Sequence, residues 1–567
     1  MDTNKGGLNP TKPGDADDRK LRRKRQRRLF GDVCYEYTQS TSLQGLPFLT
    51  KEGLTITERI FWILTIIASL IMCGYLIKDV WTKWQTSPVI VTVSEQPVPV
   101  IKVPLPAITI CPQAKCKLSA YNYTGMLDKY RYHSREYYTL GLEERIKYAG
   151  ITLLCDKNRL AGPVMLQKHN STTIKQINEV ALDYKDVFHL CNINEKYIKC
   201  SQLFSKTLTA SGVCYTMNVL AADEILRMEN IQKDFSYLNS TRKTQNLTIE
   251  HGYNPVVYPI RGLASDTTPS VSITFKQNLT DYDALCHGSS PGFQIYVQHP
   301  GELPQTSLYT QSLMVNEQAA LALSFSIMNT SETLRNYHPE VRQCYFPEDR
   351  QLKYFKIYTA KNCRTECLAN FTLATCGCVP FYLPHSSSDQ ICGVLRKMCA
   401  AAAEEKLSHR EVNENAADRC RCLEACNSIT YDAQLMKTGY YQDSIEMSPL
   451  LKSSAFHLAL PRNLSGVLHS ELKIFYKSPQ FISMRRSELF GVTDFLANCG
   501  GLLGLFLGFS FLSLVEIIYF FTLRLCCAFR KDRTQEKTNS LEKSDGHELT
   551  EECLPTVCEK NPNYYLD

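Results

Sequence analysis

Residues 500–510 read GGLLGLFLGFS and lie within an apolar run, Phe495 to Leu523, whose only charge is Glu516. Gly500, Gly504 and Gly508 recur every four residues, so they share one face of a helix. One reading is close packing of helices in lipid through small residues. That reading explains the glycines but neither Ser510 nor Glu516, because a charge facing lipid costs at least ~2.5–3.5 kcal/mol. A wet ion pathway accounts for all three. Glycine lets helices approach and lets the backbone leave the helix, so that carbonyls face an ion. Irregular backbone is tolerated at membrane depth where it lines water or protein. Serine adds a hydroxyl, and glutamate concentrates cations. On an unbroken helix Glu516 falls about 80° round from Gly508, on nearly the same side.

A second segment, Ile60 to Ile77 (IFWILTIIASLIMCGYLI), has no charge. Its 18 residues reach roughly 27 Å as a helix, about the hydrocarbon thickness of a bilayer. It stands too far from the start to be a secretory signal. Arg19 to Arg28 (RKLRRKRQRR) precedes it with eight basic residues in ten, which favours the cytoplasmic side and anionic lipid. A basic run beside a span reads as a membrane contact, and nucleic acid is not an expected partner. With two spans, both termini are expected in the cytoplasm of a plasma-membrane protein. The expected organisation is 1–59 cytoplasmic, 60–77 first span, 78–494 outside, 495–523 second span and 524–567 cytoplasmic tail. Eight Asn-x-Ser/Thr acceptors (Asn122, Asn170, Asn239, Asn246, Asn278, Asn329, Asn370 and Asn463) all lie in the outside segment. So do 17 of the 24 cysteines, which suits an oxidising compartment. Two spans per chain cannot enclose a pore, so the chain is expected to assemble with further copies or related subunits.

The outside segment reads as mixed α/β. Strand-like runs occur at Ser87–Val93, at LPAITIC ending on Cys111, at VSITF, GFQIYVQ and ALALSFSI between 256 and 326, and at 471–479. A helix is expected near Leu142–Ala149. Strands at both membrane-proximal ends are able to pair in one sheet. Residues 1 to about 40 and the last 40 are polar and expected to lack fixed structure. Residues 344–426 are dense in cysteine. Cys363 and Cys367 face one way on a helix, and Cys420 and Cys422 face one way on a strand, so two rungs between helix and strand are feasible. Zinc ligation is the rival for such spacings, disfavoured outside the cell. Spacing alone leaves the connectivity open. No His-Glu-x-x-His, Gly-x-Ser-x-Gly or phosphate-loop pattern occurs, so enzyme chemistry is not indicated. Cys526-Cys527 follow the second span as candidate acylation sites, and Asn561-Pro562-Asn563-Tyr564 fits an endocytic sorting motif.

The cysteine block, with Thr57-Glu-Arg-Ile-Phe-Trp62, WQTSPVIV (84–91), PAITIC (106–111) and GVCYTMN (212–218), resembles the degenerin/epithelial sodium channel superfamily. The insect pickpocket branch is the most similar. The resemblance spans about residues 42–523. It implies an acid-sensing-channel-like hand with palm sheet, finger and thumb between two transmembrane helices, the thumb at 344–426, and a trimer permeable to Na⁺ with no cofactor and no structural metal. It implies the disulfides Cys111–Cys214, Cys191–Cys200, Cys344–Cys426, Cys363–Cys422, Cys367–Cys420, Cys376–Cys399 and Cys378–Cys392. Cys116, Cys155 and Cys286 fall outside this scheme, and being odd in number they leave at least one thiol unmatched. Gly508-Phe509-Ser510 matches the Gly-x-Ser selectivity tract of the superfamily. Ala497 matches the degenerin position, where a small residue permits closure. Asp494, Asn498, Gly500, Gly501, Gly504 and Glu516 complete the expected pore and gate. Asn498 stands where acid-sensing channels have aspartate. Gln44-Gly45 replaces the His-Gly gating motif, and Val341 replaces a thumb tryptophan, so proton gating is not carried over. The expected function is a stimulus-gated, amiloride-sensitive sodium channel subunit of sensory type, its extracellular stimulus undetermined. The alternative is a non-conducting partner subunit of a heteromeric channel.

Overall fold

The computed structural model describes residues 15–86, 89–155, 171–232, 258–262, 269–283, 285–286, 291–304, 310–412, 420–440, 466–489 and 491–541. The chain divides into two compact units, one of residues 89–488 and one of residues 1–88 with 489–567.

The larger unit is built on two sheets. The main sheet runs Val89–Val93, Ser483–Glu488, Glu317–Thr330, Val467–Tyr476, Val271–Asn278, Phe188–Ile193 and Lys196–Tyr197 in spatial order, and Ser428–Gly439 also pairs with Glu317–Thr330. The first and last long strands of the unit are therefore antiparallel neighbours, Val89 opposite Glu488 and Val93 opposite Met484. The second sheet orders Gln311–Met314, Gly292–Gln298, Ala107–Pro112, Gly212–Met217 and Phe204–Thr209. Alternation explains how they pack. Val271, Ile273 and Phe275 point inward from one sheet, and Ile108, Ile110, Phe293 and Ile295 point inward from the other. Phe275 and Phe293 stack at 4.6 Å across this core. Asn218, at the end of the GVCYTM strand, has φ +57 and is buried. Its amide donates to the Leu105 carbonyl and its oxygen accepts from the Ile260 amide, so three segments are tied at one point.

Helix Ala360–Cys376 is capped by Thr359 and ends on left-handed Gly377. It carries Cys363 and Cys367, bonded to Cys422 and Cys420. Cys376–Cys399, Cys378–Cys392 and Cys344–Cys426 complete the block, and Cys111–Cys214 and Cys191–Cys200 lie upstream. The eighth bridge joins Cys155 to Cys286 and leaves Cys116 as a buried thiol. One expectation is corrected here. Cys420 and Cys422 stand in no strand, because Arg421 between them takes φ +47. A spacing of two is compatible with an irregular turn through left-handed backbone as well as with a strand.

The smaller unit holds the apolar helix Ile56–Thr86, and two further apolar helices, Val492–Leu507 and Phe511–Ile518. The latter continues through a wider π turn, Tyr519–Arg524, into Leu525–Leu541. Ile56–Gln85 and Phe511–Thr534 are long and apolar enough to cross a membrane. Three sequence expectations change. The second apolar run is two helices, not one, so the 80° projection of Glu516 from Gly508 does not apply. Residues 15–40, expected to be unstructured, form one helix. Its composition is polar, yet Phe30, Val33 and Tyr37 recur at helical spacing; Val33 and Tyr37 are buried, and Tyr37 packs on Phe520 and Phe521 at 5.4 and 5.8 Å. The helix at 525–541 likewise extends into the expected unfolded tail.

Candidate functional site

The break at residues 508–510 is defined by its own chemistry. Gly508 closes helix Val492–Leu507 with φ +64, a conformation that side chains with a Cβ resist. Its amide donates to the Gly504 carbonyl at 2.9 Å, and the Phe509 amide to the Leu503 carbonyl at 3.3 Å. Ser510 then caps the next helix reciprocally. Its hydroxyl accepts from the Ser513 amide at 3.2 Å, and its amide donates to the Ser513 hydroxyl at 3.1 Å. Three residues thus leave the helix at one level of an apolar segment, their amides taken up by the Gly504 and Leu503 carbonyls and the Ser513 hydroxyl.

A segment from the other end of the sequence meets this level. After helix Asp15–Ser40 the chain turns through Thr41–Leu46 toward the break. The Gln44 amide donates to the Leu507 carbonyl at 3.2 Å. Its side chain lies against Gly508, where a methyl group would come within 2.9 Å of the Gln44 Cγ. Gly45 has φ +93 and faces Ile66 and Trp62 of the apolar helix Ile56–Thr86. Phe48 stacks flat on Trp62 at 4.4 Å. Below this, Glu516 accepts from the Ser42 amide at 3.1 Å and from the Ser42 hydroxyl at 3.0 Å. The Ser42 hydroxyl also lies 2.8 Å from that of Ser513, which is fully buried. Arg524 closes the array with a forked pair to Glu36, at 2.8 and 3.0 Å from one guanidinium nitrogen.

The structure therefore brings Gln44, Gly45, Gly508, Ser510 and Glu516 into one region. Ala497, Gly501 and Gly504 lie further along helix Val492–Leu507, on one exposed face. Side chains added at Gly500 or Gly501 would meet nothing within 4 Å. The glycine stripe is thus not consumed by packing against the first apolar helix. That contact is made instead by Phe495, stacked at 5.0 Å on Trp84 and edge-on at 5.6 Å to Trp81. Asp494 accepts from the Gly491 amide and starts the helix, while Asn498 donates to the Asp494 carbonyl at 2.8 Å. Sequence reasoning missed Ser42, Ser513, Glu36 and Arg524. Ser513 and Glu516, polar at i and i+3 on an apolar helix, were the available signal. Among the glycan acceptors, Asn122, Asn278, Asn329 and Asn370 are exposed. Asn170, Asn239, Asn246 and Asn463 lie outside the described residues, as does the 561–564 motif. Among the described residues no group of three or more His, Cys, Asp or Glu is placed to hold a metal.

Residues 37–520 match the amiloride-sensitive sodium channel family. The chain belongs to that family. It is 28% identical over 518 residues to pickpocket protein 28 of Drosophila melanogaster, covering 88% of this chain and 80% of that protein. It is 24% identical over 510 residues to the sodium channel protein Nach of the same fly, covering 88% of each. Acid-sensing ion channel 1C of Danio rerio is 24% identical over 507 residues, covering 85% and 82%. These are ion channels, not enzymes, and a cation channel with two membrane-crossing helices and a large disulfide-rich domain is the architecture they share with this chain.

Proposed function

We propose that three copies of this chain, or this chain with related subunits, form a sodium-selective, amiloride-sensitive channel of the plasma membrane. Both termini face the cytoplasm, and residues 89–488 face outward. The helices Val492–Leu507 surround the axis, with Ala497, Gly501 and Gly504 on the wet face and Asp494 and Asn498 at the outer mouth. Residues 508–510 form the narrow level, where backbone carbonyls and the Ser510 hydroxyl replace part of the shell of water around Na⁺. Glu516, tied to Ser42, positions the N-terminal turn beneath that level and keeps a negative charge near it. Its proposed role is sensory, the large outer domain receiving the stimulus.

The observation that carries this reading is the helix break at Gly508–Ser510, held from below by Gln44 and Ser42. Two-electrode voltage clamp of the chain expressed alone tests it. Inward current abolished by amiloride and by replacing Na⁺ with a large organic cation is expected once the channel opens. The alternative, a non-conducting partner subunit, is read from the same recordings. Silence of both the wild type and Ala497→Val, with normal surface expression, assigns that role.

A further inference from the structure

On the outer face of the main sheet, two histidines from strands that do not touch meet above the strand between them. His469 lies on Val467–Tyr476, and His189 lies on Phe188–Ile193; both strands pair with Val271–Asn278. The ladder on the His189 side is irregular. Phe188 is opposite Phe275 and Leu190 opposite Thr274, so His189 is the extra residue of a bulge. A bulge re-aims one side chain, and here it leans His189 over the middle strand. The two ring centres are 5.2 Å apart and the planes cross at 71°. Both residues are partly exposed.

We infer that His189 and His469 form a binding site for a zinc-class divalent cation, one nitrogen from each ring and water in the remaining positions. The geometry fits that chemistry. Two imidazoles that each give one nitrogen at about 2.0–2.1 Å to a tetrahedral ion have ring centres about 5 Å apart. Neutral imidazole is the commonest protein ligand for such ions, and the same pair suits copper and nickel. Each ring needs only one nitrogen for the metal and keeps the other for a protein partner, as metal-bound histidines usually do. Two charged neighbours set the strength. Lys276 stands opposite His469 in the ladder and places an ammonium on the same face, which weakens cation binding. Glu471, two residues along from His469, already accepts from Ser272 at 3.1 Å and Gln318 at 2.8 Å, so it contributes charge without ligation. The histidines are 280 positions apart in sequence, and no spacing motif announced them.

The full chain, purified in detergent without an affinity histidine tag, is titrated with zinc chloride by calorimetry. The expected result is a site that weakens about tenfold or more in His189→Gln and in His469→Gln and is lost in the double variant. Lys276→Gln is expected to tighten it. In parallel, the wild type is carbethoxylated with diethylpyrocarbonate with and without zinc and read by mass spectrometry, which needs no variant to fold; zinc is expected to protect both rings together. Absence of zinc binding by the wild type, unchanged binding in the double variant, or failure of zinc to protect either ring overturns the proposal.

Discussion

The two units of the chain are held together by different means. Residues 89–488 carry eight disulfides and a core shared by two sheets. In the other unit the described cysteines, Cys34, Cys73, Cys499, Cys526 and Cys527, are all thiols, and the break at Gly508 is held by a few hydrogen bonds, one ion pair and ring contacts. Covalent bridges remove freedom from the unfolded chain and keep a shape through large forces. Single hydrogen bonds net about 0.5–1.5 kcal/mol and exchange easily. The contrast assigns rigidity to residues 89–488 and adjustability to the unit that carries the helix break.

The sharpest way to break this contrast is at Ala497. On the exposed glycine face a valine is expected to hold the pathway open, giving a standing amiloride-blockable current where the wild type is closed; voltage clamp without any stimulus reads it. Next is the rigid unit. Replacing Cys344 and Cys426 together by serine removes a bridge between residues 82 apart in sequence, at a cost of ~2–4 kcal/mol. Earlier thermal unfolding and poor surface expression are expected, whereas cysteine-to-serine changes at Cys526 leave melting unchanged.

Smaller effects test the adjustable unit. Gly508→Ala adds about 1–2 kcal/mol of left-handed strain and collides with Gln44. Current is expected to fall strongly, with partial recovery when Gln44→Ala relieves the collision and leaves the strain. Ser42→Ala and Glu516→Gln each loosen the same hydrogen bond. Each is expected to lower the Na⁺ over K⁺ permeability ratio, and the double variant no further than the stronger single one. Additive losses would show that the two residues act separately.

Acid gives the mildest test. His385 is fully buried, with Nδ1 2.9 Å from the Leu383 carbonyl oxygen and Nε2 2.8 Å from Oε1 of Gln232. Burial pushes its pKa below the ordinary histidine value. The unfolded chain therefore takes up a proton more readily than the folded one. Stability conferred by the neutral ring is complete above about pH 6.5 and is lost as pH falls below it. A shallow drop in melting temperature on acidification, flattened in His385→Gln, is expected from scanning calorimetry.

The sequence was informative where chemistry repeats at short range. The glycine content near 500–508 allowed backbone to leave the helix, although the spacing of four describes one face of an unbroken helix, and resemblance ordered seven cysteine pairs. Short-range pattern failed where partners are distant. Ser42 and Glu516 are 474 residues apart. Phe30, Val33 and Tyr37 are scattered among charges, so composition hid a helix whose stability comes from docking. Ser483–Glu488, SMRRSE, lacks apolar alternation, and its pairing with Val89–Val93 on one side and Glu317–Thr330 on the other makes it a strand. Three leftover cysteines allowed three pairings, and only proximity chose Cys155 with Cys286.

That choice has a practical consequence. Cys116 lies wholly inside the cluster formed by Tyr123, Tyr148 and Ile174, and burial, with Asp283 and Asp281 nearby, lifts its thiol to about 12. A thiol so protonated and enclosed is inert toward maleimides and methanethiosulfonates at neutral pH. Reporter cysteines introduced on the surface of residues 89–488 will therefore be labelled against a silent background, which makes this domain ready for fluorescence measurements of its motions without first stripping it of native residues.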